Sequence, residues 1–416
     1  MTFSALGTLS DLAARARDCA EPLGWFSRER FPALPTDEEA VRSFTREALT
    51  FPEWDAPEVS VLIPVYGKFA TTWACLSSLA TTHAGRSFEV IVADDCSPDR
   101  TAEMLAQARG VRVIKNSSNI GYLKTNNAAA LSARGKWLCL LNNDTRVTPG
   151  WLAELVGTFE HFPDAGLVGA KLLFPDGRLQ EAGGIVFRDG GCANYGRWRD
   201  PTRPEYGFAR PVDYCSAACA VLPKALWDEL GGFDEHFAPA YYEDTDLAFR
   251  IREASRRVVY QPLARVVHYH GVTHGRDARR GLKRSLLENR ARFSRRWQRA
   301  LAMHPDPDAP VRHAAERLCG PGVLVLAERE PELDERGALA REWAFLERAQ
   351  RAGHRVSLWS RHPSEANSAN RLMLERRGIE LPHSPEGPSL SAYLRRCGGR
   401  IAKVVAERDG NSVFCP

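Results

Sequence analysis

The stretch "VSVLIPVYGKFATTWACLSSLATTHAGRSFEVIVADDCSPD", residues 59–99, decides the fold class. Two short apolar runs, VSVLIPVY and FEVIVADD, flank a helical pattern, ATTWACLSSLATTH. Strand-length runs alternating with helix-length patterns read as βαβ units, whose parallel strands are apolar throughout because helices cover both faces of the sheet. The alternation continues through RTAEMLAQARG, VRVIKN, GYLKTNNAAALSARG and WLCLLNND, so this half should be Rossmann-like. From about 165 to 300 the texture changes. Shorter strand candidates, AGLVGAKLLF, GGIVF and VVYQPLARVVHY, mix with helices at PKALWDEL and YEDTDLAFRIREA, which suits a mixed sheet.

Outside this core the chain divides at its proline-rich breaks. Residues 1–57 read as a helical N-terminal appendage in which Thr36 caps a helix opening on Asp37, Glu38 and Glu39. Residues 58–300 form the main α/β domain, 301–319 a linker, and 320–416 a partial second Rossmann-like unit, too short by this reading to complete its sheet. The segment 276–300 carries ten Lys and Arg against two acids. It reads as a helix covering the sheet through Leu282, Leu286, Phe293 and Trp297, with contact to anionic lipid or a lipid-linked diphosphate as the other reading.

Composition excludes several classes. The 416 residues carry 56 basic and 52 acidic side chains, a formal +4, which does not point to nucleic acid. No run of about 18 apolar residues occurs and the N-terminus lacks a secretory pattern, so a cytoplasmic protein, at most resting on the inner membrane face, is expected. Ten irregularly spaced cysteines, Cys215 and Cys219 among them, read as reduced core thiols.

In an open parallel sheet, ligands bind at the carboxyl ends of the strands. Asp94 and Asp95 stand at one such end and can accept hydrogen bonds from a base or ribose, or favour the dipole of a helix capped at Ser97 or Asp99. No Walker loop or G-x-G-x-x-G motif is present to cradle phosphates. A divalent cation on Asp144, at the end of "LLNNDT", could neutralise them, since such ions need only one or two protein carboxylates; a plain turn explains Asn142-Asn143-Asp144-Thr145 equally simply. Glu243, Asp244 and Asp246 open a helix, where the dipole favours acids or a general base is held ionised. His268 ends a strand and could share the metal; His268, His270 and His274 also fit core or solvated roles.

Taken together, VSVLIPVYGK, VIVADDCSPDRT, NIGYLKTNN, LLNNDTRVTPGWL, LGGFDEHFAPAYYEDTDLAFRI and VVHYHG resemble, in order and interval, the family-2 glycosyltransferases, inverting enzymes of the GT-A fold. The similarity spans roughly 59–300 and is greatest to rhamnosyltransferase-like members that build bacterial surface polysaccharides. It implies a nucleotide-binding half and a mixed-sheet acceptor half. Val65, Tyr66, Asp94 or Asp95, Asn119, Gly121, Asn127 and Asn143 would line the nucleotide. Asn142, Asp144 and His268 would hold Mg²⁺ or Mn²⁺, with Asn142 replacing the first carboxylate of the family's D-x-D motif. Asp244 would be the catalytic base, with Glu243 and Tyr242 on the acceptor side.

The implied partners are a UDP- or dTDP-linked sugar and a saccharide or lipid-linked acceptor. The C-terminal GVLVLAEREPELDERGALAREWAFLERAQRAGHRVSLW resembles the opening unit of a GT-B domain. A catalytically inactive carbohydrate- or nucleotide-binding module of the same fold is the competing expectation. Nucleotidyltransfer is disfavoured because IPVYGKFATT lacks a glycine-rich, basic triphosphate loop.

Overall fold

The computed structural model describes residues 29–46, 49–269, 282–331, 338–365, 368–383, 389–408 and 411–415. His270, His274 and the stretches 1–28 and 276–281 lie outside them.

Strands β1 (Val59–Val65), β2 (Phe88–Asp94), β3 (Val111–Lys115) and β4 (Trp137–Leu141) run parallel in the order β3-β2-β1-β4. Every residue of β1 and β4 is buried. The cause is visible in the alternation along β1: Val61 and Ile63 face one core with Leu76 and Leu79 of helix Phe69–Thr81, while Leu62 faces another with Leu123 and Ala129 of helix Tyr122–Ala130.

The second half adds β5 (Thr145–Val147), β6 (Ala165–Leu173), β7 (Leu179–Glu181), the hairpin β8 (Gly184–Val186) and β9 (Cys192–Asn194), β10 (Arg210–Pro211), β11 (Cys219–Pro223) and β12 (Arg257–His268). β11 joins antiparallel to β4 and β6, and β12 runs parallel to β6, so one mixed sheet spans both halves.

The stretches read as an appendage and as a linker both carry residues buried against the main domain. Thr36 does cap helix Asp37–Arg46: its Oγ1 accepts from Glu39 N (3.3 Å), and Glu39 Oε2 accepts from Thr36 N (2.8 Å). This helix is no separate appendage, because Ala40 and Phe44 are buried in the first core and Phe44 packs edge-on to Phe69 and Trp73. The stretch read as a linker contains helix Val311–Ala315, with Ala314 and Ala315 buried.

The C-terminal unit forms a five-stranded sheet of β13 (Gly322–Arg329), β14 (Arg355–His362), β15 (Ile379–Glu380), β16 (Ile401–Arg408) and β17 (Asn411–Cys415), ordered β15-β14-β13-β16-β17. Its first four strands are parallel and β17 pairs antiparallel at the edge. The edge strand β17 is added without a further crossover helix, since an antiparallel return strand needs none. The Arg376 guanidinium meets Glu154 through two hydrogen bonds (2.7 and 2.5 Å) and ties this unit to the first.

The basic helix Leu282–Arg296 behaves largely as a covering helix. Phe293 is fully buried, Leu286 and Trp297 pack on the second core, Arg290 pairs with Asp189 (2.6 Å), and Arg296 pairs with Asp234. Cys75, Cys96, Cys139, Cys192, Cys215, Cys219, Cys319 and Cys397 are free thiols. No helix among the described residues is long and apolar enough to cross a membrane.

Candidate active site

The carboxyl ends of the parallel strands open onto residues from both halves. After β4 the chain turns at Asn143 and Asp144 and enters β5, which pairs antiparallel with the end of β12 in a register that puts Thr145 opposite His268. Tyr269 N donates to the Asp144 carbonyl (2.9 Å), continuing the ladder. This pairing brings Asp144 Oδ1 within 3.1 Å of His268 Nε2, with both residues buried. The turn and the metal-site readings of LLNNDT are therefore compatible, because the turn aims the carboxylate.

A carboxylate oxygen and an imidazole nitrogen side by side suit a divalent ion. Two adjacent ligands of an octahedral ion with ~2.1 Å bonds stand about 3.0 Å apart. No group of three or more His, Cys, Asp or Glu side chains among the described residues is arranged to hold a metal. Asp144 and His268 would thus be a two-ligand protein contribution, leaving water and phosphate oxygens to complete the shell.

Asn142 is engaged differently from the expected ligand. Its Oδ1 accepts from the Tyr122 hydroxyl (3.0 Å), which leaves its NH₂ as the group available for a further contact. Burial, followed by the charges of Glu243, Asp244 and Asp144, holds the Tyr122 proton on well above the ordinary phenol range. Asn143 is buried, its Nδ2 donating to Thr72 Oγ1 (3.0 Å).

On the nucleotide side the two adjacent aspartates separate. Asp95 accepts from Asn116 Nδ2 (2.9 Å), Ile120 N (2.8 Å) and Gly121 N (2.9 Å), so it ties down the loop carrying Asn119. Asp94 Oδ1 accepts from Ser97 N (2.9 Å), but its Oδ2 is buried without a hydrogen-bond partner. Such an oxygen is costly to leave unpaired and suits a ligand N–H or O–H. Val65 is buried and its carbonyl accepts from Asp95 N, whereas Tyr66 and Asn119 are exposed at the same edge. Gly121, at φ +86, lies where an added Cβ would touch Pro239.

Asn127 needs correction: both ends of its amide bond the backbone of Phe233 (2.9 Å each), so it fastens the GGFDE loop instead of closing the nucleotide pocket.

That loop leads into helix Glu243–Glu253 through Tyr241 and Tyr242, both at positive φ (75° and 71°). Consecutive left-handed non-glycine residues persist only when their surroundings enforce them. Buried Asn289 supplies the restraint, its Nδ2 donating to the carbonyls of Phe237 (2.6 Å), Ala240 (3.0 Å) and Tyr241 (3.0 Å). Tyr242 OH donates to Gly190 O (2.8 Å).

Of the helix's three acids, Asp246 is occupied by Arg250 (2.7 Å) and Trp297 Nε1 (2.8 Å). Asp244 is partly exposed; its Oδ1 accepts from Thr245 N (2.7 Å) and Thr245 Oγ1 (3.2 Å), and its Oδ2 from Ala217 N at 3.4 Å. Burial raises its pKa, and those donors pull it back. Burial, with Asp244 beside it, pushes Glu243 up to about 8.

Two polar residues on β7 had drawn no attention in the sequence. Buried Glu181 accepts from Ser216 N (3.0 Å), one residue before the amide that meets Asp244, and burial pushes it up to about 7, with Asp244 and His268 in its field. Gln180 touches His268 at two points, Oε1 to Nδ1 (2.7 Å) and Nε2 to the main-chain carbonyl (3.1 Å).

A Rossmann-like half and a mixed-sheet half, with a buried carboxylate–imidazole pair and an acid-rich helix N-terminus at the strand ends between them, define an α/β domain with a polar edge shared by both halves. Residues 60–226, from β1 to just beyond β11, match the model of Glycosyl transferase family 2. The chain is 32% identical over 238 residues to the O-antigen biosynthesis protein RfbC of Myxococcus xanthus, covering 55% of this chain and 18% of that one. It is 29% identical over 224 residues to the N-acetylglucosaminyl-diphospho-decaprenol L-rhamnosyltransferase of Mycobacterium tuberculosis, covering 48% of this chain and 71% of that one. A crystal structure of GalNAc-T7 with UDP, GalNAc and Mn²⁺ superposes with a TM-score of 0.48 at 14% identity, over 68% of this chain and 61% of that one. The chain spans less than a third of the length of the first curated relatives it matches.

Proposed function

We propose that the domain is an inverting, metal-dependent glycosyltransferase that moves a sugar from a nucleoside diphosphate to a hydroxyl of a saccharide or lipid-linked saccharide, on the cytoplasmic side, in surface polysaccharide synthesis. The observation that carries this reading is the Asp144–His268 pair at 3.1 Å, at the same strand edge as the unpartnered oxygen of Asp94. The names of the two bacterial relatives, with O-antigen in one and a diphospho-decaprenol-linked N-acetylglucosamine in the other, supply the acceptor class.

Asp144 and His268 would hold Mg²⁺ or Mn²⁺, with the imidazole favouring Mn²⁺. Bound there, the ion would neutralise the diphosphate and make it a better leaving group. Asp94 Oδ2 accepts a hydrogen bond from the nucleoside. Asn142 offers its NH₂ to a phosphate oxygen. Asp244 takes the proton of the acceptor hydroxyl as that oxygen bonds the anomeric carbon, and the bond to the diphosphate breaks with its electron pair staying on the nucleotide. One displacement inverts the configuration, and no second carboxylate acts as nucleophile. Glu243, which retains its proton near neutral pH, adds no competing charge beside Asp244.

Incubating the protein with UDP-, dTDP- and GDP-sugars and Mn²⁺ tests this reading through thermal stability and donor turnover. At least one donor should raise the melting temperature and be slowly hydrolysed. No shift and no turnover across the panel would favour an inactive module.

A further inference from the structure

We propose that Gln180 is a positioning residue: it fixes the neutral His268 ring in its Nδ1–H form, so that the Nε2 lone pair faces the cation held with Asp144. The inference rests on the metal-site reading above. Gln180 is buried and stands at an irregularity of the sheet. In the β6–β7 ladder Leu172 pairs with Glu181 and Leu173 with Leu179, leaving Gln180 as the extra residue. Such irregularities re-aim a side chain, here toward the end of β12.

The orientation of the Gln180 amide follows from its two contacts. Nε2 is 3.1 Å from the His268 carbonyl, an acceptor, so the NH₂ belongs there; the reverse orientation would set carbonyl against carbonyl. Oε1 therefore lies 2.7 Å from His268 Nδ1, and since a carbonyl oxygen only accepts, the ring must carry its hydrogen on Nδ1. In a neutral imidazole the other nitrogen is then an acceptor. That acceptor stands 3.1 Å from Asp144 Oδ1, also an acceptor, a contact that becomes attractive when a cation lies between them. One amide thus grips both the main chain and the ring of the same histidine, which fixes tautomer and ring rotation together. Its neighbour Glu181 is held apart by Ser216 N and does not compete for the ring.

The test uses the full chain with Mn²⁺ alone as the probe. In metal-free protein labelled with ¹⁵N-histidine, the His268 signals, assigned by their loss in His268→Ala, should show a hydrogen on Nδ1. Gln180→Leu should release the tautomer and weaken Mn²⁺ binding roughly 10- to 100-fold. Gln180→Glu, which keeps an acceptor on Nδ1 but sets its second oxygen against the His268 carbonyl, should retain the tautomer and recover part of the affinity. An Nε2–H ring in the wild-type protein, or unchanged Mn²⁺ affinity in folded Gln180→Leu, would overturn the proposal. Failure of the wild-type protein to bind Mn²⁺ would instead sink the metal reading, and the tautomer measurement, which needs no metal and no Gln180 variant, would still decide the role of Gln180.

Discussion

Replacing Asp244 with asparagine separates chemistry from folding at the proposed base. The wild-type carboxylate is held mainly at Oδ1, by Thr245 N at 2.7 Å and Thr245 Oγ1 at 3.2 Å, while Oδ2 has only the long contact to Ala217 N at 3.4 Å. An asparagine with its oxygen toward Thr245 keeps both short bonds and loses the weak one. The stability change should stay within about 1 kcal/mol, because one marginal hydrogen bond is at stake. Removing the charge also relieves Glu243, whose proton is held partly by Asp244.

The chemical step is affected far more. Loss of a general base typically lowers rate by a factor on the order of 10² to 10⁴, or about 2.7 to 5.5 kcal/mol on the barrier. Transfer rates at saturating donor, calorimetric binding of the nucleotide with Mn²⁺, and urea unfolding should be measured on the same preparation. The expected result is a rate loss of at least about 10², with nucleotide affinity and unfolding midpoint nearly unchanged. Because burial raises the Asp244 pKa above its ordinary value of 3.8, the acid limb of wild-type turnover should lie above that value and be absent from the variant. Retention of most of the activity, or a rate loss matched by lost nucleotide binding, would refute the assignment.

The two strand-end aspartates should respond differently to amide substitution. Asp94→Asn should weaken nucleotide binding with little effect on melting, whereas Asp95→Asn, which sets an NH₂ against donors from the 116–121 loop, should lower the melting temperature; calorimetry and thermal unfolding together distinguish them. Asn289→Leu leaves the carbonyls of Phe237, Ala240 and Tyr241 without that donor, which should cost about 1–3 kcal/mol in urea unfolding and lower turnover by loosening the approach to Asp244. Glu181 and Glu243, raised in the folded chain from 4.5 to about 7 and about 8, keep protons that the unfolded chain has already released. Their contribution to stability is full below the unfolded value and is lost as pH rises toward the folded values, so Glu181→Gln with Glu243→Gln should flatten the decline in unfolding midpoint between about pH 4.5 and 8.

The parallel half was legible because apolar runs buried on both faces leave a plain signature, and β1 and β4 are buried throughout. Asp144 and His268 were individually legible as candidates. Their contact was not, since it depends on the register of β5 against β12 across more than a hundred residues. Asp94 and Asp95 follow the same apolar strand and could not be told apart without the loop amides that occupy Asp95. Gln180 and Glu181 were missed because a three-residue strand is too short to show a period of two. Asn127 stood in a motif that suggested a pocket, but its partner Phe233 lies in a distant loop. The N-terminal helix was set aside because prolines surround it, although Ala40 and Phe44, four apart, share one face and enter the core.

A common division of labour runs through the adjacent polar residues of this crevice. Asp95 binds its loop while Asp94 keeps one oxygen unpartnered; Asp246 is pinned by Arg250 and Trp297 while Asp244 remains partly exposed; Asn143 holds Thr72 while Asn142 keeps its NH₂ available. On the proposed reading, the residue bound to the scaffold would orient its neighbour, and the neighbour would be the one that meets the ligand. Both members of each pair fall in the motif, so similarity alone does not separate the two roles that this reading gives them. It also places Gln180 on the scaffold side, since all of its described hydrogen bonds go to the histidine it would orient.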